Sequence, residues 1–148
     1  MYQRLIELAV SKASSNAEFD ALRRVLFAAV AVDEEDRTFA ERIDANKALR
    51  GEAPTKLSKR KKAEVDGYAA DANELEAQQL AEFSSLESAE SVVFCLKMAL
   101  DGDVRFWEKA HEKGDPADAP IVQSFAAAKV RLRDSMAAYL SEFRAPDS

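Results

Sequence analysis

Apolar residues recur at alternating spacings of three and four along most of this chain, and the stretches that carry them mirror one another about two breaks. About Gly51-Glu52-Ala53-Pro54, Leu22 is matched with Phe83, Val25 with Leu80, Ala29 with Leu75, Val32 with Ala72, Phe39 with Val65 and Leu49 with Leu57. About Gly114-Asp115-Pro116, Val92 is matched with Leu140, Leu96 with Met136, Leu100 with Leu132, Trp107 with Phe125 and Ala110 with Val122. Such a rhythm belongs to packed antiparallel helices. The pattern therefore predicts an all-α fold: an antiparallel four-helix bundle made of two long helical hairpins, with a short N-terminal helix.

Punctuation along the chain sets the expected boundaries. Tyr2, Leu5, Ile6 and Ala9 form one face of a short helix within 1–14, broken by Ser14-Ser15-Asn16. Ser15-x-x-Glu18 is a capping box, in which hydroxyl and carboxylate each satisfy a backbone N–H left over at a helix start. The seam that follows is Leu22, Val25, Ala29, Val32, Asp36, Phe39 and Ile43, and it runs to Arg50. Gly51 suits a left-handed helix end, Pro54 cannot continue the hydrogen-bond ladder, and Thr55 can cap the next helix. That third helix should reach Phe83, with Ser84-Ser85-Leu86-Glu87 capping a fourth that extends to Lys113. Val93, Leu96, Leu100, Val104 and Trp107 keep phase across Gly102, so the glycine is expected inside the fourth helix, with a break at Asp101-Gly102-Asp103 as the alternative. Asp118 is the expected cap of a fifth helix with seam Val122, Phe125, Lys129, Leu132, Met136, Tyr139 and Phe143, ahead of Pro146.

These boundaries give one helical domain over 1–148. It comprises the short helix 1–14, a first hairpin 16–84 with a polar tip near 51–54, a second hairpin 85–144 and a tail 145–148. Hydrophobicity is uneven along the bundle. Leu22 to Val32 and Val92 to Leu100 are apolar nearly all round, whereas Ala40 to Ala63 holds scattered large apolar residues, so one end is core and the other a polar arm. Phe27, Phe94 and Phe106 lie off the hairpin seams and require a second neighbour, either the N-terminal helix or another subunit; they are the candidate docking or self-association surface. Asp36, the one acid in the first seam, falls opposite Tyr68, whose hydroxyl would satisfy it as a register-fixing pair.

Composition narrows the function classes. With 47% hydrophobic residues in 148 the chain has enough apolar material for a single core, and 4 Gly with 4 Pro suit long helices better than strands and tight turns. A net charge of −6 opposes wholesale wrapping of nucleic acid or an anionic membrane. The single cysteine, Cys95, excludes a disulfide within the chain and reads as a small buried hydrophobe. Arg4 and Glu7 interrupt the first apolar stretch, unlike a signal peptide, and the longest uncharged runs are too short to span a bilayer. The expected location is cytoplasmic, with no membrane contact.

One charge cluster stands out. Lys56, Lys59, Arg60, Lys61 and Lys62 crowd the start of the third helix, followed by Ala63 to Leu96 with eight acids and no Lys or Arg. Cations at a helix N-terminus oppose the backbone dipole by a few tenths of a kcal/mol each, roughly, so the cluster works against its own helix. It is a candidate binding site for phosphate or an acidic partner, with Arg50 as an auxiliary. The structural alternative is a solvated face, neutralised by Lys62 with Asp66 and Arg60 with Glu64. No aromatic residue interrupts the cluster and no Asn or Gln accompanies it, so any nucleic-acid contact would be to phosphate and not to base sequence.

Histidine supplies two further readings. Glu108-x-x-His111 has the spacing of di-iron carboxylate bundles, but such sites need a second pair and His111 is the one histidine of the chain, so no metal or other cofactor is expected. His111-Glu112-Lys113-Gly114-Asp115-Pro116 resembles the phosphoacceptor box of sensor histidine kinases over those six residues, with Lys113 and Gly114 departing from the family's aliphatic and basic residues. The resemblance implies that His111 would take a phosphoryl group and Glu112 would orient the proton. Glycine-rich phosphate loops, nucleophile elbows and Cys-x-x-Cys pairs are absent from the sequence. The expected function is accordingly non-enzymatic: an interaction, adaptor or assembly protein that binds another protein or itself. Alternatives are an accessory protein gripping nucleic acid or phosphate through 56–62, and a histidine phosphotransfer bundle using His111.

Overall fold

The computed structural model describes residues 1–51, 74, 76–110 and 115–144. Among them the chain is all-α, with α1 (Tyr2–Ser11), α2 (Asn16–Leu49), helical residues 76–84 (here α3), α4 (Ala89–Ala110) and α5 (Ala119–Phe143), and no strand. No described helix is long and apolar enough to cross a membrane.

Local chemistry explains the ends of α2. Ser15 has an extended backbone, and its Oγ accepts from the Glu18 N–H at 3.1 Å. Glu18 returns the favour one residue early, its Oε1 accepting from the Ser14 N–H at 3.0 Å. At the far end Gly51 adopts φ +75°, the left-handed conformation that ends helices without a Cβ penalty. α4 runs unbroken through Gly102, and a Cβ built there meets nothing within 4 Å. Gly102→Ala should therefore raise the unfolding free energy by about 0.5–1 kcal/mol. Urea unfolding followed by circular dichroism tests this, and a lower midpoint would refute it.

Two expected caps are reassigned. Ser84 does not open α4: the Ser84 and Ser85 hydroxyls donate backward to the Ala81 and Glu82 carbonyls, at 2.7 and 2.6 Å, which finishes α3 instead. α4 is opened by Ser88, whose Oγ accepts from the Ser91 N–H at 3.1 Å. Asp118 does occupy the N-cap position of α5, but its helical φ and ψ of −88° and −13° turn the carboxylate away from the helix start. It accepts instead from Asn46 Nδ2 at 3.3 Å and Arg50 Nη1 at 3.0 Å.

Among α1, α2, α4 and α5, packing closes a ring: α5 lies against α2 and α4, and α1 lies against the same two helices. α4 and α5 run in opposite directions, since Trp107 meets Phe125 with ring centroids 4.7 Å apart while Glu90 meets Arg144 at 3.3 Å. α2 and α5 are likewise opposed, because Glu35 accepts from Ser124 at 2.9 Å and Asn46 donates to the Ala117 carbonyl at 2.8 Å. The core between them is dry and aliphatic, built on Leu22, Val25, Val92, Leu100, Leu132 and Met136, all fully buried. Past Val32 no residue of α2 is buried, which matches the expected division into a core end and a more polar end.

α1 behaves differently from expectation. Instead of covering the off-seam phenylalanines it fills the ring between α2 and α4, with Leu5, Ile6 and Ala9 fully buried. Burial of Leu5 and Ile6 contributes about 1.5–3 kcal/mol apiece, as upper values. Its N-terminus is capped in trans by Asp33 of α2, whose carboxylate accepts from the backbone N–H groups of Tyr2 and Gln3 at 3.1 and 2.9 Å and from the Met1 amino group at 3.0 Å. Of the first hairpin's expected partners, Leu80 and Phe83 lie half-buried on the core cluster, while Leu57, Val65, Ala72 and Leu75 fall outside the described residues. Phe39 packs across to the other helices, 5.4 Å from both Trp107 and Phe125.

Candidate functional site

The residues singled out from the sequence have mixed fates. Lys56, Lys59, Arg60, Lys61, Lys62 and His111 fall outside the described residues, as does Tyr68, the expected partner of Asp36; Asp36 itself is exposed. Phe27, on the outer face of α2, is 83% exposed, and Phe106 on α4 is 66% exposed. Phe94 is half-buried beneath Arg144, whose guanidinium carbon lies 3.8 Å from the ring centre. The three phenylalanines do not form one patch: Phe94 and Phe106 are twelve residues apart on α4, roughly 18 Å at 1.5 Å per residue. Cys95 is exposed, contrary to the buried role expected of it. Its position on the outward side of α4, beside Met98, leaves it without a packing neighbour across the ring.

Around Phe27 the outer face of α2 carries a stripe spaced by four, four and three: Phe19, Arg23, Phe27 and Val30, all exposed. The Arg23 guanidinium stands 5.9 Å from the Phe19 ring, and among the described residues it has no ion-pair partner. Asp20, Arg23, Arg24 and Phe27 together shape a shallow surface depression.

A second site was not legible as such in the sequence. Lys129 occupies a seam position of α5, so helix geometry directs it inward, and it is only 6% exposed. Desolvating an ammonium costs several kcal/mol, roughly, unless it is paired. Asp103 of α4 supplies the pairing carboxylate. The faces of Phe125 and Trp107 lie 4.6 and 5.2 Å from Nζ, within the range where cation–π attraction adds about 0.5–2 kcal/mol. Lys129 and Phe125 form one wall of a cavity of ≈ 360 Å³, which α1 closes with Met1 and Tyr2, α2 with Val32, Asp33 and Asp36, and α3 with Glu76. Burial pushes the Tyr2 phenol up to about 12, with Asp103, Asp33 and Asp36 adding to the shift. The phenol therefore stays neutral at neutral pH.

Elsewhere the charged groups fasten helices together. Arg50 at the end of α2 reaches Asp118 and Asp115 across the α5 entrance, and its hydrogen bond holds the Asp118 carboxyl below the usual carboxylate range. Tyr139 is buried against α2, and desolvation followed by the nearby Glu18 raises its phenol well above the ordinary value. Among the described residues its hydroxyl has no hydrogen-bond partner, although Glu18 is near.

Compared with known protein families, curated proteins and solved structures, the chain matches none. The described residues contain no group of three or more His, Cys, Asp or Glu arranged to hold a metal ion. Two arrangements remain: an exposed aromatic and cationic stripe on α2, suited to contact with another macromolecule, and a walled cavity lined by opposite charges, suited to holding a small polar molecule.

Proposed function

We propose that this chain works by binding a protein partner, as a non-enzymatic interaction, adaptor or assembly protein, and that the contact is made by the outer stripe of α2. The observation that carries this reading is Phe27, a phenyl ring 83% exposed at the centre of Phe19, Arg23 and Val30. A solvated helix face has no use for three large apolar groups in register, whereas aromatic and arginine side chains dominate the energetics of protein interfaces. The partner that fits is an amphipathic helix whose apolar stripe lies on Phe27 and whose flanking carboxylates meet Arg23. The framework in this proposal is the antiparallel four-helix bundle of two hairpins, supported by the opposed directions of α4 and α5, and its location is cytoplasmic.

Screening the intact chain against displayed short random peptides tests the reading. Enriched peptides should combine Leu or aromatic residues with Asp or Glu at helical spacing, and Phe27→Ser should weaken them at least about tenfold. Because the side chain is exposed, that substitution should change stability by no more than about 0.5 kcal/mol. Peptides that bind Phe27→Ser equally well, or a library that yields none, would remove α2 as the contact face.

A further inference from the structure

The cavity beside Lys129 supports an inference independent of the α2 surface. Its ≈ 360 Å³ lies within the range of small-molecule clefts, roughly 300–1,000 Å³. The internal cations satisfy only part of its lining. Asp33 is occupied by the Met1 amino group and the N–H groups of Tyr2 and Gln3, and Asp103 by Lys129. Glu76 has Arg4 at 3.8 Å, too long for a hydrogen bond, and among the described residues Asp36 has neither a hydrogen bond nor an ion pair. The Phe125 ring of α5 and Val32 of α2, one turn before Asp36, supply the apolar part of the lining. Lys129 demonstrates from within the chain what such walls accept, since its ammonium is held between a carboxylate and two aromatic faces.

We propose that the cavity binds a small organic ammonium, a primary amine on a short alkyl chain, with Asp36 and Glu76 receiving the ammonium and Phe125 and Val32 covering the alkyl part. Charge sets the sign of the ligand: of the four carboxylates in the lining, Asp33 is matched by the Met1 amino group, Asp103 by Lys129 and Glu76 loosely by Arg4, which leaves Asp36 uncompensated and the lining with a negative excess that disfavours an anion. Burial raises the Tyr2 phenol first, and Asp103, Asp33 and Asp36 add to the shift. Chemistry sets its class: no described group of three or more ligating side chains converges for a metal, and the apolar wall favours an alkyl chain over a hydrated ion.

Trp107, the chain's one tryptophan, packs on Phe125 and faces Lys129, so its fluorescence reports occupancy of the cavity. The intact chain is titrated at constant ionic strength with butylammonium, hexylammonium, butyrate and magnesium, with calorimetry in parallel. Both amines should saturate with one molecule bound per chain, hexylammonium the more tightly, and butyrate should not bind. Asp36→Asn should weaken the amines by about fivefold or more, and Glu142→Gln, at an exposed position of α5, should leave them unchanged. Asp36 is exposed and unbonded, so its variant should fold, as circular dichroism will verify. Failure of both amines to saturate, equal affinity in Asp36→Asn, tighter binding of magnesium, or saturation by butyrate would each overturn the proposal.

Discussion

Leu132→Ala should lower the unfolding free energy by about 3 kcal/mol, and Leu132→Asp should abolish the cooperative helical transition. Leu132 is fully buried near the middle of α5, the helix on which α2 and α4 both pack, so the space left behind is not at a helix end. Leucine truncations in closed cores lose the transfer free energy of the missing methyl groups and add the cost of a residual cavity, about 2–5 kcal/mol together. The aspartate adds an unpaired carboxylate in an aliphatic interior, which costs several kcal/mol more, roughly, and exceeds what a domain of this size can spare. The neighbouring Arg131 is exposed, and Arg131→Ala should shift stability by no more than about 0.5 kcal/mol. Urea unfolding of the three variants, followed at the helical circular dichroism band, measures the contrast. Similar losses for Leu132→Ala and Arg131→Ala would refute the packing described for α5.

Asp103→Asn should destabilise the chain by about 2 kcal/mol, whereas Lys129→Met should be neutral or stabilising. The two substitutions break the same ion pair, yet they leave different groups behind. Without the Asp103 carboxylate, the ammonium of Lys129 remains 94% buried with only aromatic faces and a neutral amide beside it, and stranding a buried charge costs about 3–5 kcal/mol. Partial exposure of Asp103 admits water and reduces that figure. Methionine in place of Lys129 removes the ammonium's desolvation penalty, keeps nearly the same length and packs its thioether against Trp107 and Phe125. Denaturant titrations should therefore give opposite signs, and the double variant should resemble Lys129→Met. Equal losses from both single variants would mean that the pair contributes net stability, contrary to the desolvation argument.

The helices were legible because their signals are local. Ser15 and Glu18 announce the start of α2 within four residues, Gly51 its end, and the phase kept by Val93, Leu100 and Trp107 carried α4 through Gly102. The match of Trp107 with Phe125 followed from counting outward from a single turn, which works when two helices are joined directly. The capping box at Ser84-Ser85-Leu86-Glu87 misplaced the start of α4, since Ser84, Ser85 and Ser88 are equivalent in composition and only their hydrogen-bond directions distinguish a helix end from a helix start. The short apolar face of α1 gave no indication of which neighbours it would meet.

The cavity was the least legible feature, although it left a trace. Asp36 and Lys129 are charged residues at apolar seam positions of different helices, and such a coincidence is a reason to look for a polar site between them. What the pattern cannot express is that Asp103, Glu76 and Tyr2 arrive at the same place from three further elements. Periodicity determined that this chain is helical, where most of its helices start and stop, and which face of each turns inward, because these depend on hydrogen bonds and side-chain directions repeated within a few residues. Only the tertiary structure decided that α1 enters the ring between α2 and α4, that Phe27 and Phe106 stay in solvent, and that a buried lysine meets its carboxylate beside a cavity. Those outcomes depend on distances between segments far apart in sequence, set by how the whole set of apolar faces closes together and not by the residues next to each one.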